Sequence, residues 1–252
     1  MASVTREAFT RYLDELLQPE NFKDYCPNGL QVEGRNEIAS VVCGVTANQA
    51  LLDLAVAEQA DAILVHHGWF WRGESGVVTG IKRQRLKTLL SHDINLYAYH
   101  LPLDAHHPLG NNAGLARTMG WTRTGVFGEQ GLGCLGTPVE GTTVASLAAS
   151  LNSALGRPPF VLAEKPEQPI RRLAWCTGAA QGYFEAAIDA GVDAFVTGEI
   201  SEPMVHLARE SGVAYLAAGH HATERFGVQS LGSALAEHFG LQVRYLDVDS
   251  PV

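Results

Sequence analysis

The sequence predicts an α/β protein of two similar domains, built from duplicated β-α-β units whose helices cover mainly parallel or mixed sheets. Two apolar, strand-like runs at 40–45 and 61–65 flank a helical stretch, and strands joined through a helix pair in parallel. The same order returns in the second half of the chain. With 252 residues, 46% of them hydrophobic, the chain has material for one large core or two ordinary ones.

In chain order, residues 5–18 place apolar side chains at Ala8, Phe9, Tyr12, Leu13, Leu16 and Leu17. This is a helical stripe, with Thr5 as its N-cap and Pro19 as its stop. Pro27 and Asn28-Gly29 favour a turn within the loop at 23–30. A strand at 40–45, a helix at about 48–59 and a strand at 61–65 follow, and the last of these runs into His66-His67. In the second half, the run at 173–178 resembles that at 41–46, taken at an offset of 133 that matches Cys176 to Cys43. Residues 184–196 fall on 52–64 at an offset of 132. At an offset of 120, Tyr97-Ala98-Tyr99-His100 with Asp104 falls on Ala217-Ala218-Gly219-His220 with Glu224.

A period this long means two related domains rather than a solenoid. The expected organisation is a first α/β domain at 1–124 and a connecting or edge segment at 125–170, rich in Gly and Pro with one helix over Val144–Leu155. A second α/β portion follows at 171–252.

The formal charge of −9 disfavours tight nucleic-acid binding, which needs a concentrated cationic face. The one basic cluster, Lys82-Arg83-Gln84-Arg85-Leu86-Lys87, reads as a solvated helix face or as an anchor for an anionic substrate. No stretch approaches the roughly 18 apolar residues of a membrane span. The start lacks the apolar core of a signal peptide, so the expected compartment is the cytoplasm. Cys26, Cys43, Cys134 and Cys176 lie far apart and read as reduced, packed thiols.

Seven of the ten histidines fall in three short clusters, at 66–67, 100–107 and 220–221. That clustering points to one metal site assembled from distant segments. Side chains alternate along a strand, so two adjacent histidines serving one site must lie where the strand ends, and open α/β sheets bind ligands there. Neighbouring imidazoles suit two metals about 3.5–4 Å apart. His220 and Glu224, four residues apart, share a face if a helix begins near His221, and Glu224 has two oxygens with which to bridge two ions. His100 and Asp104 have the same spacing, but Pro102 disfavours a regular helix there. Asp104 is preferred as ligand because two dications need carboxylate charge, which leaves His100 either supporting the ligands from behind or facing substrate.

The candidate ligands are therefore His66, His67, Asp104, His220 and Glu224. With Glu224 bridging, each ion has about three protein ligands and open positions, as catalytic sites do, and the ions would acidify a water held between them. Imidazole and carboxylate without thiolate suit Zn, Mn, Fe or Ni. Glu199 holds the place in the second repeat that His67 holds in the first, as a general acid or base or as a capping carboxylate. Glu199, His100 and His221 are the catalytic candidates. Trp69, Phe70 and Trp71 either stack on a flat ring or pack in the core or a subunit contact.

Together these segments resemble a known family, the GTP cyclohydrolase I type 2 homologues, also called NIF-three-like dinuclear metal proteins, and within it the bacterial YbgI-like branch. The resemblance spans nearly the whole chain. It rests on Pro27-Asn28-Gly29-Leu30-Gln31-Val32-Glu33-Gly34, Val65-His66-His67-Gly68, His100-Leu101-Pro102-Leu103-Asp104-Ala105-His106, Thr197-Gly198-Glu199 and Ala218-Gly219-His220-His221-Ala222-Thr223-Glu224-Arg225. It implies a NIF-three-like fold holding two divalent metal ions, assembled as a ring-shaped homohexamer with the sites facing an internal cavity. The family's ligands fall on His66, His67, Asp104, His220 and Glu224, with Glu224 shared.

The implied activity is opening of the GTP imidazole ring with release of formate. A triphosphate needs cationic or N–H partners, and without a Walker-type loop the candidates are Arg72, Arg225 and the cluster at 82–87. The leading expectation is a metal-dependent hydrolase acting on a nucleotide-like small molecule. A dinuclear nucleotide phosphoesterase and a non-catalytic metal-binding scaffold are the alternatives.

Overall fold

Thr5 opens the first helix by accepting the Ala8 amide, and the chain leaves it through Gln18 in the left-handed region just before Pro19. In the computed structural model, which describes residues 2–252, the elements of the first stretch are β1 (Val4–Thr5), α1 (Arg6–Leu17), β2 (Gly29–Val32), β3 (Glu37–Ile38), β4 (Ser40–Thr46), α2 (Gln49–Ala57), β5 (Ala62–His67), α3 (Gly80–Ser91), β6 (Asn95–Ala98) and α4 (Leu101–Ala105). Next come α5 (Asn111–Met119), β7 (Thr122–Phe127), β8 (Gly133–Thr137), α6 (Val144–Leu155), β9 (Phe160–Leu162), β10 (Leu173–Trp175), α7 (Phe184–Asp189), β11 (Ala194–Thr197), α8 (Glu202–Ser211), β12 (Ala214–Ala217) and α9 (His220–Thr223). The chain closes with α10 (Arg225–Phe239) and β13 (Gln242–Tyr245).

Two compact units result. The first comprises residues up to Gly110 together with Gly227–Asp249; the second comprises Asn111–Phe226 with Ser250–Val252. The boundary falls at 110, not 124, and residues 227–249 belong to the first unit.

In the first unit the sheet order is β13-β4-β5-β6-β2, parallel except for β2. Its two faces bury separate cores, as the period of two along a strand requires. Val41, Cys43, Val45, Ala62 and Leu64 meet Phe9, Leu13 and Leu17 of α1 and Val228, Leu231 and Leu235 of α10. Val42, Ile63 and Val65 meet Leu51, Leu52 and Ala55 of α2 and Leu89 of α3.

In the second unit the order is β7-β8-β10-β11-β12-β9, with β10, β11 and β12 parallel and the others antiparallel to their neighbours. One face packs Leu173, Trp175, Val196 and Leu216 on Leu147, Leu151 and Leu155 of α6. A Thr143–Ser146 capping box starts α6, and Gly156 in the left-handed region ends it. On the other face Phe184, Phe195 and Tyr215 form an aromatic cluster with ring separations of 4.8–5.8 Å.

The duplication extends further than the sequence suggests. Each unit runs helix, antiparallel edge strand, then three parallel strands joined by helices: α1-β2-β4-α2-β5-α3-β6 in one, α6-β9-β10-α7-β11-α8-β12 in the other. The segment 125–170 therefore carries α6 and β9 of the second repeat as well as a connection. Register corrects two residue matches. Val41 pairs Ala62 and Leu173 pairs Ala194, so the offset over these strands is 132, and Cys176 answers Gly44 rather than Cys43. Val65 pairs Ala98 and Thr197 pairs Ala217, so the last parallel strands correspond at 119 and His220 answers Leu101 rather than His100.

The four cysteines are buried and form no disulfide, and burial pushes the Cys43 thiol up to about 12. Among the described residues no helix is long and apolar enough to cross a membrane.

Candidate metal centre

In the first unit β5 extends through both histidines of its pair. His66 continues the parity of Ala62 and Leu64 and is fully buried; His67 continues that of Ile63 and Val65 and is half-buried. His66 Nδ1 lies 3.0 Å from the Tyr99 carbonyl oxygen. A carbonyl only accepts, so Nδ1 carries the proton and Nε2 presents its lone pair. That Nε2 is 3.5 Å from Asp104 Oδ1. His67 Nδ1 is 3.2 Å from Thr46 Oγ1, across the register pair that closes the β4–β5 ladder.

His100 Nδ1 lies 2.7 Å from Asp24 Oδ1. Asp24, whose side chain is 4% exposed, also accepts the Tyr25 and Leu101 amides and the Asn28 side-chain amide, while Asn28 Oδ1 accepts the His100 amide. Burial alone would raise the Asp24 carboxyl, but hydrogen bonding and charge from His100, with Asn28 and Tyr25, outweigh it and hold the carboxyl at about 2. Pro102 does not prevent a helical turn over 101–105, because it sits in the first turn, where an amide proton has no intrahelical partner. His100 and Asp104 nevertheless diverge, His100 toward Asp24 and Asp104 toward His66.

His66, His67 and His100 each offer a ring nitrogen within 4.8 Å of the other two, a group able to hold a metal ion. Asp24, Cys26 and His100 form a second such group. It is chemically poorer, since burial and Asp24 push the Cys26 thiol up to about 12 and Asp24 is already saturated with donors.

In the second unit the His220–Glu224 spacing works as its sequence predicts. A helical turn over 220–223 sets His220 Nε2 3.1 Å from Glu224 Oε2. The other ring nitrogen, Nδ1, lies 2.6 Å from Glu199 Oε1. Burial lowers the His220 imidazole, but Glu224 and Glu199 outweigh it and bring it up to about 9. Glu224 is buried. Room for its carboxylate comes from Gly178, where a Cβ would overlap Glu224 Oε1 and where φ is +72°. The Gly178 amide donates to Thr223 Oγ1 at 3.0 Å, tying this glycine to the turn that carries His220. Gly198 is equally constrained, since its Cβ would sit 2.7 Å from His220 Cα. Glu199 is steadied by the Tyr215 hydroxyl, which donates to its carbonyl at 2.6 Å. His221 follows on the same turn, half-buried, with its amide donating to the Val252 carbonyl at 3.1 Å.

The donors fit a divalent metal by their chemistry. They are imidazoles and carboxylates, and each imidazole has its second nitrogen held by an oxygen, the arrangement that fixes ligand orientation in metal sites. Asp24, Thr46 and Gly178 were not singled out by sequence reasoning. Asp24 sits three residues before the turn-forming Pro27, where its side chain gives no periodic signal.

Comparison with known proteins gives the family of the chain. A family model, Duf34/NIF3 (NGG1p interacting factor 3), matches residues 4–251. The chain belongs to the DUF34/NIF3 family. A Neisseria meningitidis serogroup A protein named GTP cyclohydrolase 1 type 2 homolog is 52% identical over 248 residues, covering 98% of this chain and 99% of its own. Among solved structures, one described as protein ybgI of unknown function superposes with a TM-score of 0.96 at 46% identity, covering 99% of this chain and 100% of its own. A Thermus thermophilus protein gives 0.88 at 34% identity, covering 99% and 100%. The DUF34/NIF3 fold is thus the fold of this chain.

Proposed function

We propose that this chain is a dinuclear metal-dependent hydrolase acting on a nucleotide or related heterocycle, with His66, His67, Asp104, His220 and Glu224 as the metal ligands. The observation that carries this reading is the second-nitrogen pattern. Tyr99 O, Thr46, Asp24 and Glu199 engage the Nδ1 atoms of His66, His67, His100 and His220, which leaves Nε2 as the ring nitrogen each imidazole can offer a metal. A structural histidine needs no such partner to present its other nitrogen. Two divalent ions, Zn, Mn, Fe or Ni, would supply Lewis acidity and a water of lowered pKa.

The protein's own groups do the rest. Glu199 orients His220 while its second oxygen remains a proton acceptor, and Asp24 holds His100 in the tautomer that presents Nε2 to the substrate side. Glu199, His100 and His221 are the proposed catalytic side chains. The name of the curated relatives makes GTP the first substrate to test, with ring opening and formate release as the reaction. A homohexameric state and a cytoplasmic location complete the proposal.

The test is metal-replete protein incubated with GTP and a nucleotide panel, with formate, neopterin-like fluorescence and phosphate measured in parallel. Formate and fluorescence support the cyclohydrolase reading, and both should vanish in Glu224→Gln. Phosphate alone would replace it with a phosphoesterase. Firm metal binding without turnover on any member of the panel would replace it with a non-catalytic metal-binding scaffold.

A further inference from the structure

Of the four tryptophans, Trp69, Trp121 and Trp175 are buried. Trp71 is half-buried, and its ring lies among the imidazoles, 5.0 Å from His100 in an edge-on arrangement and 6.0 Å from His67. The turn that delivers it is strained and pinned. Phe70 has φ +65°, a left-handed conformation that costs a bulky residue about 1 kcal/mol or more. It is held there by its amide donating to Glu74 Oε2 at 3.1 Å. Just before it, the Trp69 amide donates to Gln31 Oε1 at 2.7 Å and the Trp69 indole to the Ala47 carbonyl at 2.8 Å. The turn therefore sinks Trp69 into the core and returns Trp71 toward His67 and His100. The Trp71 indole N–H is committed to the Gly68 carbonyl at 3.1 Å, so what it offers a ligand is its π surface.

We infer that Trp71 is the stacking wall of the site and selects substrates that carry a planar heteroaromatic ring. This rests on the proposed reading of the imidazole cluster as the reacting centre, and it narrows the substrate class to nucleobase-like compounds. A tryptophan serving only to pack would be buried like the other three, without a strained turn to present it. Stacking on an aromatic side chain tolerates any base, so the selection is for the ring and not for one nucleobase.

Excitation near 300 nm selects the four tryptophans over tyrosine, and the part of the quenching that disappears in Trp71→Leu is the part that reports on Trp71. The full-length, metal-replete protein is titrated with guanosine, with adenosine, and with ribose 5-phosphate as the non-aromatic control, while equilibrium dialysis measures affinity independently. The expected result is saturable quenching by both nucleosides and none by ribose 5-phosphate. Trp71→Leu should bind guanosine about ten-fold or more weakly, and Trp71→Phe should restore most of the affinity. Equal binding by Trp71→Leu and wild type, quenching by ribose 5-phosphate, or no saturable nucleoside response would overturn the inference. Metal content of the same samples separates the two readings. Failure of stacking at full metal content contradicts this inference alone, whereas a metal-free wild-type protein contradicts the assignment of the centre.

Discussion

The two units share one scaffold and build their chemistry at different points of it. In the first, the middle parallel strand ends in side chains, His66 and His67, with Thr46 beside them on the neighbouring strand. In the second, the register places Gly178, Gly198 and Glu199 at the positions of Thr46, His66 and His67. Two of the three have lost their side chains, and the next loop fills the space with His220 and Glu224. In the first unit the imidazoles of His66, His67 and His100 lie with the carboxylates of Asp104 and Asp24, whereas in the second the single imidazole of His220 lies with the carboxylates of Glu199 and Glu224. A duplicated sheet fixes where a site can be, and exchanging side chains for glycine at its rim decides which loop supplies the donors.

This contrast is broken most directly at Glu224. Glu224→Gln should lower metal affinity by more than about 100-fold and abolish metal-dependent turnover, with near-wild-type circular dichroism, because ligands matter more than the 10–100-fold typical of their supporting groups. Retained metal, measured by elemental analysis, would show that the carboxylate of the second unit is not a ligand. Gly178→Ala sharpens the same point through space alone. Its methyl displaces Glu224 and its φ of +72° is unfavourable for alanine, so metal affinity should fall about ten-fold or more. Denaturant unfolding should show a loss of about 1–3 kcal/mol.

A smaller effect is expected when the support is changed and the ligand kept. Glu199→Gln retains the shape at His220 Nδ1 but removes the charge, and should weaken metal binding by about 10-fold, toward the low end of such effects. The smallest lies in the first unit. The Asp24 carboxyl is held at about 2 against an ordinary value of 3.8, so it contributes stability fully above pH 4 and loses it as pH falls through 2. Asp24→Asn should therefore be less stable than wild type at pH 7, and the gap should narrow at pH 3 in denaturant titrations. A gap independent of pH would mean that the pair with His100 carries no linkage.

The sequence made the middle of this structure legible and left its edges obscure. His66-His67 stand out because they end an apolar run, and His220 with Glu224 because their spacing matches one helical turn. Helix α6 was legible at Val144–Leu155, but β9 and the place of both in the second repeat were hidden, because a helix followed by a three-residue edge strand between prolines resembles a linker. The Cys43–Cys176 match misled because a shared residue type attracts alignment, whereas a one-residue slip along a strand moves a side chain to the opposite face. Asp24 and Thr46 were missed for another reason. They act by hydrogen bonding to a histidine far away in the chain, a relation with no local pattern.

The central claim is that five side chains hold two metal ions. Anomalous X-ray scattering from crystals of the natively purified protein tests it directly. The account predicts two peaks per chain, each about 2.0–2.3 Å from nitrogen or carboxylate oxygen atoms of His66, His67, Asp104, His220 and Glu224. No peak at these residues, or a peak instead at Asp24, Cys26 and His100, would contradict it.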